Sequence, residues 1–276
     1  MTTVEVFAPA KLNLTLHVTG QRDDGYHQLD SLVAFTDIGD KITVSPSNAL
    51  TLTVSGPQAE HLIADETNLV LRAAHFLGRG RGADIHLEKN LPIASGVGGG
   101  SADAAATLRA LSLLWDLDTP APATTVGLGA DVPVCMVGST LRMRGVGERI
   151  THLDRLPDMT VVLVNPNVPV STPGVFKALQ KKDNPAMPDR LPHWSNFDSF
   201  VLWLTGQRND LQAPAIQLQP VIADVIDGLM DAGAAFAAMS GSGATCYGVF
   251  RNSDTAALAV EELSATGWWC AQGAFV

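Results

Sequence analysis

From residue 11 to residue 18 polar and apolar positions alternate, with Leu12, Leu14, Leu16 and Val18 standing between Lys11, Asn13, Thr15 and His17. A period of two is that of a half-buried strand, which places Lys11 and Asn13 on one face. Residues 41–44, 50–54 and 84–88 are further strand candidates, and the spacing over 68–77 predicts a helix. Ala104, Leu108, Leu111 and Trp115 recur at helical spacing just after a crowd of glycines. The continuous apolar run 159–164 reads as a buried strand opening a second half, with Leu156-Pro157-Asp158 marking the boundary. Beyond it, helices are expected around 175–179, 197–204 and 221–232, a polar, proline-containing connection over 181–192, and a strand over 245–250. Strands and helices mix without strict alternation, so the expected class is α+β, in two domains spanning 1–157 and 158–276.

Composition narrows the class. The 276 residues are 46% hydrophobic and 17% charged, which is globular rather than disordered. A formal net charge of −10, with no basic run longer than Lys181-Lys182, argues against general nucleic-acid binding. Cys135, Cys246 and Cys270 are odd in number and far apart, offering no disulfide framework and no paired metal ligands, as suits a reducing cytoplasm. The first residues lack the pattern of a secretory signal, and the uncharged run 232–250 is interrupted by glycines and hydroxyl residues. It is therefore expected to be a helix end, a glycine loop and a strand rather than a membrane span.

The chemistry concentrates in residues 91–106, LPIASGVGGGSADAAA. Gly96, Gly98, Gly99 and Gly100 can turn successive backbone N–H groups toward an anion, and the start of the following helix adds unpaired amides and a positive dipole end. A P-loop would need a lysine after Gly100, where Ser101 stands, and a dinucleotide fingerprint would need a third glycine there. The residues alone therefore leave an ATP-type site of another kind, or, less well supported, a dinucleotide site. Asp131, in Ala130-Asp131-Val132-Pro133, reads equally well as a helix N-cap or as a functional carboxylate. Lys11 taken alone reads as a surface lysine, and Gly25-Tyr26-His27 as loop packing or as a grip on a planar ligand.

Taken together, Ala8-Pro9-Ala10-Lys11-Leu12-Asn13-Leu14, Gly25-Tyr26-His27, the glycine loop, Leu128-Gly129-Ala130-Asp131-Val132-Pro133 and Met239-Ser240-Gly241-Ser242-Gly243-Ala244 resemble the GHMP kinases, in that family's order and over nearly the whole chain. The resemblance implies a two-domain α+β fold with its active site in the interdomain cleft. It implies transfer of the ATP γ-phosphoryl group, with Mg²⁺, to the 2-hydroxyl of 4-CDP-2-C-methyl-D-erythritol in non-mevalonate isoprenoid synthesis. Asp131 would be the general base and Lys11 its electrostatic partner, roles that suit a weakly nucleophilic alcohol. Pro92, Ile93, Ala94, Ser95, Gly96, Val97, Gly98, Gly99, Gly100, Ser101 and Ala102 would hold the ATP phosphates, with Asn68 and Leu69 near the adenine. His27 would hydrogen-bond the cytosine edge, Tyr26 and Phe176 would flank that base, and Asn13, Thr172, Gly241 and Ser242 would contact the substrate or brace the loop. No residue is assigned to the metal.

One departure is the segment 116–127, shorter and richer in proline and threonine than the family's helix there, which bears on how firmly Asp131 is held. Other readings stay open: a kinase of this family for homoserine or mevalonate, a non-catalytic nucleotide-binding module, and, most distantly, a dehydrogenase.

Overall fold

The computed structural model describes residues 3–60, 62–93 and 95–276. In chain order the strands are β1 (Val4–Asn13), β2 (His17–Gln21), β3 (His27–Pro46), β4 (Leu50–Ser55), β5 (Ala83–Glu88), β6 (Leu141–Gly145), β7 (Arg149–His152), β8 (Thr160–Asn165), β9 (Phe236–Met239), β10 (Cys246–Phe250) and β11 (Trp269–Ala274). The helices are α1 (Leu69–Leu77), α2 (Gly99–Trp115), α3 (Val132–Val137), α4 (Thr172–Ala178), α5 (Phe197–Thr205), α6 (Gln212–Leu218), α7 (Val221–Asp231) and α8 (Ser253–Ser264), with a 3₁₀ turn at Pro122–Thr125. The class is α+β, as expected.

The chain forms two compact units, each assembled from three stretches of sequence. The first comprises Met1–Lys11, Gly39–Ile93 and Gly98–Gly138; the second comprises Leu12–Ile38, Ala94–Val97 and Ser139–Val276.

In the first unit β4 pairs in parallel with β5, and β5 runs antiparallel to the second part of β3, Lys41 facing Glu88. Helix α1 starts where Asn68 accepts the Val70 N–H at 2.9 Å, an N-cap that satisfies one orphan donor. It buries Val70, Leu71, Ala73 and Ala74 and packs against α2. The buried face of α2 is mostly alanine, with Leu108 and Leu111, and small side chains allow close packing of its neighbours.

In the second unit β2 and β6 run antiparallel to the first part of β3, and β7 to β6. A separate four-stranded sheet has the order β11-β8-β10-β9, and α7 and α8 pack on it. Val161, Val162, Leu163 and Val164 are all buried, as the unbroken apolar run of β8 requires. Helices α6 and α8 and strands β6, β7, β9 and β11 have no expectation in the sequence. The run 232–250 begins just after α7 and resolves into β9, a glycine turn and β10. Among the described residues no helix is long and apolar enough to cross a membrane.

The alternation over 11–18 behaves differently from its expectation. All eight residues are buried, and the extended run breaks between β1 and β2. At the break the Thr15 hydroxyl accepts the Leu32 N–H at 2.9 Å, a side chain taking a place that a ladder carbonyl would hold. The polar face is therefore not solvated: Lys11 pairs with Asp131, the Asn13 amide with Ser31 and the Thr15 hydroxyl with the Leu32 N–H.

Candidate active site

In the first unit Lys11 and Asp131 meet as an ion pair, Nζ to Oδ2 3.0 Å, with the lysine side chain 4% and the aspartate 36% exposed. Asp131 does stand at the N-cap position of α3, but its side chain makes no capping bond. The carboxylate goes to Lys11 instead, so the side chain does not serve as a cap. Its backbone is held all the same: the Asp131 carbonyl accepts the Cys135 N–H at 2.9 Å, and Val132, Pro133, Val134, Cys135 and Met136 are buried behind it. Burial pushes the Cys135 thiol far up, so this cysteine is an inert packing group. Segment 116–127 carries only the short 3₁₀ turn, which packs on α3, and Asp131 is held by α3 and by Lys11.

The glycine loop approaches this pair. Gly98 has φ +66°, and a Cβ there would lie 3.1 Å from Lys11 Cε and 3.9 Å from Asp131 Oδ2, so glycine alone suits the position. The first bond within α2 runs from the Ala102 N–H to the Gly98 carbonyl at 2.8 Å. By helix geometry the N–H groups of Gly99, Gly100 and Ser101 then face no carbonyl of their own helix, and they sit at the positive dipole end. A Cβ on Gly100 would lie 3.5 Å from Leu69 Cδ1, which brings Leu69 to the start of α2. Asn68 precedes it, but its side chain is already committed to Val70 and to the Ile63 carbonyl (2.9 Å). Pro92 is buried and Ile93 exposed. Ala94 lies outside the described residues.

In the second unit Ser95, Gly96 and Val97 pack on the turn after β9. The Thr245 N–H donates to the Ser95 carbonyl (3.0 Å), and the Ser240 hydroxyl donates to the Gly96 carbonyl (3.1 Å) while accepting the Asn13 N–H (3.0 Å). A Cβ on Gly241 would lie 2.9 Å from the Gly96 carbonyl oxygen and 3.3 Å from Asn13 Oδ1. Asn13 Nδ2 donates to Ser31 Oγ (2.8 Å), which donates to the Thr15 carbonyl (2.5 Å). Ser240 and Ser31 thus hold the expected substrate residue in place. Neither was singled out, since a serine beside a glycine turn or inside a strand carries no local signal.

The Thr172 and Ser242 hydroxyls bond each other at 2.7 Å. His27 stacks on Phe176, ring centroids 4.5 Å apart and planes 22° apart, whereas Tyr26 is exposed. His27 thus covers one face of Phe176, the residue expected with Tyr26 to flank the base. Phe176 acts as a buttress for the imidazole. Burial, then the Lys182 charge, lowers the His27 pKa, leaving a neutral ring with one donor and one acceptor nitrogen. Its Nε2 is buried with no hydrogen-bond partner. Among the described residues no group of three His, Cys, Asp or Glu side chains could hold a metal.

This architecture has known relatives. Residues 68–139 match the GHMP kinases N terminal domain and residues 193–267 the GHMP kinases C terminal domain. The chain belongs to the GHMP kinase family. It is 58% identical over 274 residues to a 4-diphosphocytidyl-2-C-methyl-D-erythritol kinase of Ruegeria pomeroyi, covering 98% of each chain. It is 55% identical over 276 residues to one of Cereibacter sphaeroides, covering 99% of each. A crystal structure of 4-(cytidine 5'-diphospho)-2C-methyl-D-erythritol kinase superposes with a TM-score of 0.80 at 34% identity over 99% of both chains. Homoserine kinase from Cytophaga hutchinsonii shares the fold at a TM-score of 0.63 and 18% identity, over 100% of this chain and 95% of that one.

Proposed function

We infer that this chain is an ATP-dependent kinase that phosphorylates the 2-hydroxyl of 4-diphosphocytidyl-2-C-methyl-D-erythritol, giving the 2-phosphate and ADP in non-mevalonate isoprenoid precursor synthesis. The observation that carries the chemistry is the Lys11–Asp131 pair, with one carboxylate open to solvent beside the glycine that leads α2. Asp131 takes the proton of the attacking hydroxyl, and Lys11 holds the carboxylate in place and offsets charge on the forming alkoxide. The amides of Gly99, Gly100 and Ser101 receive phosphate oxygens. Leu69 and the Asn68 backbone lie along the adenine. No residue is assigned to Mg²⁺, which when bound with the nucleotide would neutralise phosphate charge.

The acceptor's cytosine is read by His27, whose buried, unpartnered Nε2 is a hydrogen-bonding atom in want of a ligand, while Tyr26 supplies an exposed ring for stacking. Asn13, Thr172, Gly241 and Ser242 contact the rest of the substrate. Three free cysteines fit a cytoplasmic enzyme.

The test is coupled ADP release from purified protein with ATP and Mg²⁺, offering the cytidine compound in parallel with methylerythritol phosphate, homoserine and mevalonate. Turnover confined to the cytidine compound is the expected result. Turnover with another alcohol overturns the substrate while keeping the chemistry, and silence with all four in folded, ATP-binding protein overturns catalysis.

A further inference from the structure

The most deeply buried charges of the first unit lie beneath the start of α2. Lys89, the residue after β5, is 2% exposed, Asp40 0% and Asp103 2%. Lys89 Nζ donates to Asp40 Oδ2 at 2.5 Å and to Asp103 Oδ2 at 2.8 Å. Asp40 Oδ1 accepts the N–H groups of Asn90 (2.6 Å) and Leu91 (2.8 Å). The Lys89 backbone is pinned as well, its N–H donating to the Ser55 carbonyl at 2.7 Å. A Cβ on Gly99 would lie 3.1 Å from Lys89 Nζ, so the ammonium sits against the first residue of α2.

One network therefore grips three segments: β3 through Asp40, the entry to the glycine loop through residues 89–91, and the first turns of α2 through Gly99 and Asp103. The loop leaves from a residue held by this network and returns to a helix held by it. Stability alone does not account for the arrangement. Two carboxylates share one ammonium, and Asp103 Oδ1 is buried without a hydrogen-bond partner. Burial, reinforced by Asp40 and opposed by Lys89, pushes the Asp103 carboxyl up to about 7. Apolar side chains of similar volume commonly serve a core as well as or better than a buried ion cluster. What a cluster adds is direction, because each bond fixes the angle at which its segment arrives.

We propose that Lys89, Asp40 and Asp103 are positioning residues for phosphoryl transfer, setting the spacing between Leu91 and Gly99 and so aiming the amides of Gly99, Gly100 and Ser101 at the nucleotide. This rests on the reading of that loop as the ATP-phosphate site. A displacement of an ångström in such a site can cost on the order of 10²-fold in rate.

The test is the steady-state kinetics of Asp103→Asn, which is isosteric and keeps the Lys89–Asp40 pair. The expected result is a KM for ATP raised roughly tenfold or more, with the acceptor KM and the melting temperature near those of the parent. A second variant, Lys89→Met combined with Asp103→Leu, replaces the bridging ion pair with apolar bulk and must raise the ATP KM in the same way. An unchanged ATP KM in either folded variant overturns the proposal, as does an equal rise in both KM values, which marks general structural damage. Gly100→Leu separates this from the loop reading: its added Cβ meets only Leu69 Cδ1, at 3.5 Å, and does not touch the network. If Gly100→Leu raises the ATP KM and Asp103→Asn does not, the positioning proposal fails and the loop reading stands. If Gly100→Leu leaves ATP untouched, the loop reading itself fails.

Discussion

Lys11 meets Asp131 at 3.0 Å with the carboxylate 36% exposed, and in the same unit Lys89 meets Asp40 and Asp103 at 2.5 and 2.8 Å with all three groups sealed from solvent. The residue types are the same and the distances nearly so. The difference is access: the Asp131 side chain is open to solvent, while the oxygens of Asp40 are all taken by Lys89, Asn90 and Leu91. A base needs both a held orientation and a vacant lone pair, and an anchor needs only the first. On the proposed roles, exposure rather than proximity of charge divides chemistry from scaffolding in this unit.

The largest effect expected from breaking that contrast is on folding. Lys89→Met leaves two buried carboxylates facing each other without a cation, and should cost roughly 3–5 kcal/mol in urea unfolding. Asp131→Asn should do the opposite, reducing kcat by about 10²-fold or more while barely moving the unfolding midpoint. Normal turnover in that variant would remove Asp131 from the base role, and a large loss of stability would put it with the anchors.

A pH series sharpens the same division. Burial raises Asp103 above its unfolded value of about 3.9. Between that value and about 7 the native state then binds more protons than the unfolded chain, so this group's contribution to stability falls as pH rises through the window. Lys89, lowered by burial but raised more by its two carboxylates, loses its contribution only at far higher pH. The stability of Asp103→Asn relative to the parent should therefore climb from pH 5 to pH 8, and a flat difference would mean that Asp103 is not strained. The smallest effect belongs to a residue outside both pairs: His27→Ala should raise the acceptor KM by about tenfold, the scale of one buried hydrogen bond, and leave the ATP KM alone. An effect confined to ATP would remove His27 from base recognition.

Some elements were legible because their cause is local. The 68–77 pattern is α1, with Asn68 capping it as its position suggests, and the unbroken apolar run is β8. The glycine turn into a helix start is equally local, since it depends on Gly98 and on the free amides of one helix. Other features are invisible along the chain. Polar alternation over 11–18 signals a wet face wherever no distant partner is known, and here the Thr15 hydroxyl donates to Met187, 172 positions away. Lys89, flanked by Glu88 and Asn90, reads as a surface residue at a strand end, although Asp40 lies 49 positions away at its ammonium. Likewise nothing near Phe176 announces that it stacks on His27.

By itself, then, the sequence determined the family, the order of its motifs, the phosphate-shaped turn and most helices of the chain, because periodicity, capping and glycine content act within a few residues. Only the tertiary structure decided which carboxylate keeps an open edge, which serines hold Asn13 and which lysine anchors the loop. Those properties depend on solvent access and on hydrogen bonds between residues far apart in the chain, and neither exists until the strands have paired and the core has closed.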